Sequence, residues 1–189
     1  MATLQLKKPP VLFLMTSDEF CELPPSETVK LELIDGDVVA LCWPTPARQY
    51  FIFQLGMEIT LWAKRSGLGR VLPDTLMTLD ERWTPTPDLV FISRRHLNRV
   101  KDKRIEGPVD LAIEVLSPKN PEMDRDTKFA AYAQFGIPWY WIIDLKKRVL
   151  EEYERVGKTY RQRVDVPFDR VLSPRLFPGL TIDLASLEW

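Results

Sequence analysis

Two apolar runs separated by a polar segment dominate the hydrophobic pattern of the chain. Asp110–Leu116 (DLAIEVL) and Pro138–Asp144 (PWYWIID) have the length and composition of buried strands. Between them, Asn120 can cap a helix, Pro121 suits its first position and Gly136 suits the position after its last residue. Two buried strands joined through a helix indicate a parallel pair, so the pattern predicts an α/β fold with a central mixed β-sheet.

Two β-hairpins are predicted, one on each side of this unit. In the first, Asp35-Gly36 separates the apolar runs Val29–Ile34 and Asp37–Cys42, and Asp-Gly in this setting is a strong hairpin signal. In the second, Val149–Arg155 and Thr159–Val164 flank a Gly-Lys turn. We expect the hairpins to be N-terminal and C-terminal additions to the sheet.

The first long helix is predicted over Thr45–Ser66. Thr45 can cap this helix, Pro46 fits its first position and Gly67 ends it. The spacing of its large apolar residues predicts one buried stripe. That stripe comprises Phe51, Leu55, Ile59 and Trp62.

The remaining segments predict one domain with a short N-terminal arm. Residues 1–28 are interpreted as an arm carrying a short helix at Ser17–Leu23, capped by its first serine. Residues 29–189 form the single domain, in which Gly69–Pro73 and Thr75–Leu79 are further strands.

Composition excludes several classes of site. The 189 residues are 45% hydrophobic and carry a net charge of −1, so no global basic field attracts nucleic acid. With His96 as the one histidine and Cys21 and Cys42 far apart, neither a structural zinc site nor a Ser–His–Asp triad is expected. The chain shows no signal peptide and no span of membrane length, which predicts a cytoplasmic protein with no membrane partner.

Three residues suited to metal chemistry fall on successive predicted elements. Asp88 heads an apolar strand, and Glu114 lies inside another, where a carboxylate is costly unless it is paired or bound to a metal. Lys128 shares a helical face with Asp124 and Tyr132 and can lean back toward Glu114. Two carboxylates and a backbone carbonyl suit Mg²⁺ or Mn²⁺, which can activate water beside a phosphoryl group, and a lysine can position that water.

The order of several sequence blocks resembles one bacterial family. The blocks are LELIDGDVV, PDLVF, LAIEVLSP, DRDTKFAAYAQFGIPWYWIID and FPGLTIDL. They resemble the Uma-two family, whose members carry a restriction-endonuclease-like domain of the PD-(D/E)xK nuclease superfamily. The resemblance runs from about Val29 to Leu184 and implies a restriction-endonuclease-like core and metal-dependent hydrolysis of DNA.

The resemblance also implies a role for individual residues. Asp88 and Glu114 match the metal-binding acidic positions, and the carbonyl of Val115 would be the backbone ligand. The superfamily's usual lysine position is Leu116 here, but family members place the lysine on the following helix, which Lys128 matches.

Further positions around this motif are supporting candidates or departures. Asp124 and Tyr132 match residues that support the lysine. Glu32 and Glu58 are also candidate supporting residues, although strand alternation favours a solvent-facing Glu32 and charged residues on amphipathic helices usually face water. Arg48-Gln49 stands where relatives often have a histidine, a departure that leaves the predicted metal site complete.

A basic loop follows the strand that Asp88 heads. A role in binding nucleic-acid phosphates is predicted for it, and a merely solvated surface remains the alternative. The residues concerned are Arg94, Arg95, Arg99, Lys101, Lys103 and Arg104.

Three interpretations of the whole chain stay open. The first is an endonuclease dependent on Mg²⁺ or Mn²⁺ that hydrolyses DNA. The second is a nuclease-like fold that binds nucleic acid or protein without catalysis, and the third is a buried ion pair in which Lys128 only neutralises Glu114. A homodimer is a further expectation, because Trp139, Tyr140 and Trp141 could anchor an interface.

Overall fold

A six-stranded mixed sheet forms the centre of the computed structural model, which describes residues 14–188. The strands are β1 Lys30–Ile34, β2 Asp37–Leu41, β3 Gly69–Pro73, β4 Met77–Thr78, β5 Leu89–Ser93, β6 Ile105–Glu106, β7 Leu111–Val115, β8 Trp139–Asp144, β9 Val149–Val156, β10 Thr159–Pro167, β11 Val171–Leu172 and β12 Ile182–Asp183. The helices are α1 Ser17–Cys21, α2 Pro46–Ser66 and α3 Phe129–Phe135, with 3₁₀ turns at Arg94–Arg99 and Leu184–Leu187 and a π-helical turn at Met123–Lys128.

The central sheet has the strand order β10-β9-β8-β7-β5-β3. Strands β7 and β8 are parallel, as the helical connection between them predicts, and the other neighbours are antiparallel. The predicted C-terminal hairpin is β9–β10, and it extends this sheet at one edge. The predicted mixed sheet is therefore confirmed.

Strand alternation in β7 divides the core into two layers. Leu111 and Ile113 pack in the cluster that includes α2, whereas Ala112 packs in the cluster that includes α3. Glu114 is two residues from Ala112 and so faces α3. This register explains why an acidic residue inside a buried strand points at the helix that carries lysine.

Helix α2 begins and ends where the sequence predicts. The Thr45 hydroxyl accepts a hydrogen bond from the amide of Arg48 at 3.3 Å, and Gly67 ends the helix with a φ of 67°. The predicted cap of α1 was wrong by one residue. Thr16, not Ser17, forms a capping box with Glu19.

The N-terminal hairpin is confirmed and lies against the rest of the domain. Asp35 and Gly36 take φ values of 53° and 82°, as a tight hairpin turn between β1 and β2 requires. Leu33 exchanges backbone hydrogen bonds with Thr84, which precedes β5. These bonds hold β1 close to the start of the Asp88 strand.

The aromatic cluster proposed as a dimer anchor is part of the protein's own core. Tyr140 and Trp141 are fully buried and Trp139 is half-buried, so at least the first two cannot reach a second copy. The homodimer itself stays a prediction. Residues 1–13 of the predicted arm lie outside the described residues, and within 14–188 no helix is long and apolar enough to span a membrane.

Candidate functional site

Asp88 and Glu114 come together at one end of the sheet, where β5 begins and β7 ends. Asp88 immediately precedes β5, whose antiparallel pairing with β7 sets Leu89 opposite Ile113. Its Oδ2 accepts a hydrogen bond from the amide of Val115 at 2.7 Å. Both carboxylates are buried. The sheet register thus places the three predicted metal-binding positions, Asp88, Glu114 and Val115, side by side.

Lys128 reaches this end of the sheet from the π-helical turn before α3. Its Nζ lies 3.0 Å from Glu114 Oε1 and 3.5 Å from Asp124 Oδ1, and the side chain is only 2% exposed. The Tyr132 hydroxyl donates to the same Glu114 oxygen at 3.0 Å. Neither contact engages Glu114 Oε2. The structure therefore brings together all the residues predicted on this helical face.

Glu32 belongs to the same cluster, and the expectation that it faces solvent was wrong. It is 1% exposed, and its Oε2 lies 2.9 Å from Lys128 Nζ. Its Oε1 accepts a hydrogen bond from the amide of Thr86 at 3.1 Å. The hairpin packs against the sheet, so the face of β1 that would be open in isolation is covered.

Arg48 binds Asp88 directly and was not predicted to belong to the site. Its Nη2 lies 2.6 Å from Asp88 Oδ2, and its buried Nε has no hydrogen-bond partner within residues 14–188. Burial opposes the charge, but the attraction of Asp88 outweighs it and raises the pKa of Arg48. The helix cap that starts α2 at Pro46 sets Arg48 in the first turn, next to this end of the sheet.

Burial and mutual repulsion make two carboxyl groups of the cluster harder to ionise. Burial raises the pKa of Glu114 to about 8 and that of Asp124 to about 6, and the neighbouring carboxylates contribute while Lys128 opposes. Burial lowers the pKa of Lys128, but the carboxylates around it raise it well above its usual range. Four buried carboxylates, including Glu32 and Asp88, thus contact three cations, of which Lys128 is buried and Arg48 and Lys30 are partly exposed.

A cavity of about 140 Å³ opens onto this cluster and suits one hard cation. Asp88, Glu114, Asp124 and Lys128 line it, and Lys30 and Lys119 lie at its wall. Among residues 14–188, no three Asp, Glu, His or Cys side chains converge as a complete metal cage. Mg²⁺ needs no such cage, since it binds one or two carboxylates and keeps water and substrate oxygens. The oxygen donors of these carboxylates fit such an ion.

Glu58 and the basic loop are not brought to this site. Glu58 is ten residues beyond Arg48, about 15 Å further along α2. The loop begins where β5 ends, and Asp88 precedes the start of that strand, so about 15 Å of strand separates them. The basic loop therefore lies far from Asp88 in the fold, although it directly follows the Asp88 strand in the sequence.

Several of the loop's cations already have acidic partners. Arg95 lies 3.4 Å from Asp110, and Lys103 lies 2.6 Å from Glu22. Arg104 lies 2.8 Å from Asp18, on α1. A role of the loop in binding nucleic acid stays a prediction, but it would act at the end of the sheet opposite the carboxylates.

Comparison with known proteins gives a family and a fold. A family model named Uma2 and described as "putative restriction endonuclease" matches residues 17–185. A crystal structure described as a "putative nuclease" from Anabaena variabilis has a TM-score of 0.74 at 20% identity, covering 92% of this chain and 98% of that chain. None of the curated proteins matches. The structural likeness shows a nuclease-like α/β fold.

Proposed function

Because the chain belongs to the Uma2 family, we propose that it is a Mg²⁺- or Mn²⁺-dependent endonuclease that hydrolyses phosphodiester bonds of DNA. The match covers most of the chain, which confirms the resemblance seen in its sequence blocks. The family description and the nuclease-like fold support a nuclease. The metal and the DNA substrate are our proposal, argued from the site.

One observation supports the proposal above the others, namely the convergence of four buried carboxylates on one small open cavity. In this proposal, Asp88, Glu114 and the Val115 carbonyl would hold the ion. Bound there, the ion would polarise a phosphoryl oxygen and acidify a water molecule. The carboxylates of the cluster repel one another, and a bound divalent cation would relieve that repulsion.

The protein's own groups position the reaction. Lys128 stays protonated, because the carboxylates around it raise its pKa, so it acts as a donor and not as a base. Its ammonium would hold the attacking water and stabilise the negative charge that grows on the phosphoryl oxygens. Asp124 and Tyr132 fix Lys128 and Glu114, respectively, and are positioning residues.

A second candidate is a nuclease-like module that binds nucleic acid without cutting it. The ion pairs Arg48–Asp88 and Lys128–Glu114 favour this alternative, since both proposed metal-binding carboxylates already have a cationic partner. The two candidates differ in whether a metal ion can displace Arg48 from Asp88.

Cleavage of supercoiled plasmid and of single-stranded DNA, with Mg²⁺ or Mn²⁺, tests the proposal. We expect the wild type to cut and Glu114→Ala to lose cutting by at least about a hundredfold. Glu58→Ala is the matched control, because it removes an equal charge from α2 away from the site. Absence of metal-dependent cutting by the wild type, or unchanged cutting by Glu114→Ala, would refute the proposal.

A further inference from the structure

A second groove opens from the carboxylate cavity. Its volume is about 760 Å³, and it shares Cys42, Arg48 and Lys119 with the cavity wall. The two spaces are therefore neighbours across these side chains. A ligand lying in the groove would have its next unit at the entrance to the cavity.

Three loops build the groove because of the sheet's topology. Strands β7 and β8 are parallel, so the loops that follow them leave the sheet at the same end. The loop after β7 contributes Lys119, and the turn after β8 contributes Lys146. The third wall is the segment between β2 and α2, which carries Trp43.

The groove combines an exposed aromatic ring with available positive charge. Trp43 is 53% exposed, an unusual position for an indole. Arg125 is held by Glu151 at 2.7 and 2.8 Å, and Lys147 lies 3.8 Å from Asp144. Lys119 and Lys146 are exposed, and neither has an acidic partner among the residues that the structure describes.

We propose that this groove binds a single-stranded segment of the substrate, with one base stacked on Trp43 and its phosphates held by Lys119 and Lys146. This inference rests on the proposed function, because the groove would lead the next phosphate to Asp88 and Glu114. Aromatic rings and lysines in a groove are the usual means of binding unpaired nucleotides. A duplex would not serve as well, since its stacked bases offer no free face to the indole.

The groove and the basic loop make opposite predictions about where nucleic acid binds. The groove lies at the end of the sheet that carries Asp88 and Glu114, whereas Lys101 and Lys103 lie at the opposite end. Replacing two lysines by glutamine in each region removes the same charge. The pair of double variants therefore separates a local contact from a general loss of positive charge.

Fluorescence anisotropy of a labelled oligothymidylate, with EDTA present to prevent hydrolysis, is the test. We expect Trp43→Ala to weaken binding about fivefold or more, and Trp43→Phe to keep most of it, because phenyl also stacks. Lys119→Gln with Lys146→Gln should reduce the slope of log K against log salt by about 1.4, about 0.7 for each lost phosphate contact. Lys101→Gln with Lys103→Gln should leave that slope unchanged, and a duplex of equal length should bind more weakly.

The outcomes distinguish failure of the groove from failure of the proposed function. A wild type that binds the oligonucleotide but does not cut with Mg²⁺ or Mn²⁺ refutes the nuclease and leaves the groove standing. Wild-type binding that is unaffected in Trp43→Ala and keeps its salt slope without Lys119 and Lys146 refutes the groove. So does a wild type that prefers the duplex or binds no oligonucleotide.

Discussion

Replacing Lys128 by methionine perturbs the site at its centre. Methionine keeps a long unbranched side chain but removes the ammonium that lies within 3.5 Å of carboxylate oxygens of Glu32, Glu114 and Asp124. All three carboxylates are buried, so water in the small cavity beside them would replace the lost ammonium only in part. Removing one partner of a buried ion pair typically costs about 3–5 kcal/mol of unfolding free energy, and we expect that cost at pH 8.

The loss of unfolding free energy in Lys128→Met should depend on pH, because the pKa of Glu114 is raised in the folded state. Burial raises the pKa of Glu114 from 4.5 to about 8, and the attraction of Lys128 opposes that rise. A carboxyl group with a raised pKa in the folded state stabilises fully below its unfolded pKa, and that stability is lost as the pH rises through the folded pKa. Without Lys128 the folded pKa rises further, so Lys128→Met should cost clearly less at pH 5 than at pH 8.

Urea unfolding followed by circular dichroism at pH 5 and pH 8 measures both costs. Lys158→Met removes an exposed lysine in the β9–β10 turn and should change the unfolding free energy by less than about 0.5 kcal/mol. A cost for Lys128→Met below about 1 kcal/mol at pH 8 would contradict the buried cluster, since it is far below the typical value for such a pair. An equal cost at both pH values would contradict the assigned direction of the Glu114 pKa.

The structure makes three further predictions, two about the metal site and one about strand β3. Arg48→Met should raise the Mn²⁺ affinity measured by calorimetry by about tenfold, because the ion no longer has to displace the charge-assisted hydrogen bond between Arg48 and Asp88. An unchanged affinity would mean that Asp88 does not bind the ion. The Mn²⁺ affinity of the wild type should rise from pH 6 to pH 8, by up to about tenfold per pH unit, because Glu114 must lose its proton to bind the ion. An affinity that does not change with pH would rule out Glu114 as a ligand. Gly69→Ala should lower the unfolding free energy by about 1–3 kcal/mol in urea, because the new Cβ would clash with the backbone carbonyl oxygen of Ile92. Wild-type stability of this variant would show that the edge strand β3 can shift.

Local sequence signals were sufficient to predict the helices and strands that carry the site residues. Caps, prolines and glycines set the limits of α2, and the Asp-Gly turn set the first hairpin, because these signals act within a few residues. The contact between Lys128 and Glu114 was also accessible, since a strand–helix–strand unit has few possible geometries. The three positions predicted to bind a metal are consequently adjacent in the fold.

Long-range packing explains what the sequence could not provide. Glu32 looked solvent-facing because alternation along an isolated hairpin does not show which other element covers it. Arg48 meets Asp88 across 40 residues, and its identity suggested only a departure from the family. The basic loop was misplaced because β5 carries the chain from one end of the sheet to the other. Each of these three errors concerns tertiary position, whereas the one error in a helix limit was the N-cap of α1, by one residue.

The most direct test of the metal site is calorimetric titration of Mn²⁺ at pH 8 into the wild type, Asp88→Asn and the control Glu58→Gln. We predict one binding site in the wild type and the control, and its loss or severe weakening in Asp88→Asn. Cleavage by the wild type should then appear over the same range of Mn²⁺ concentration as binding. Equal Mn²⁺ binding by all three proteins, or none by the wild type, would contradict a metal-dependent nuclease built on Asp88 and Glu114.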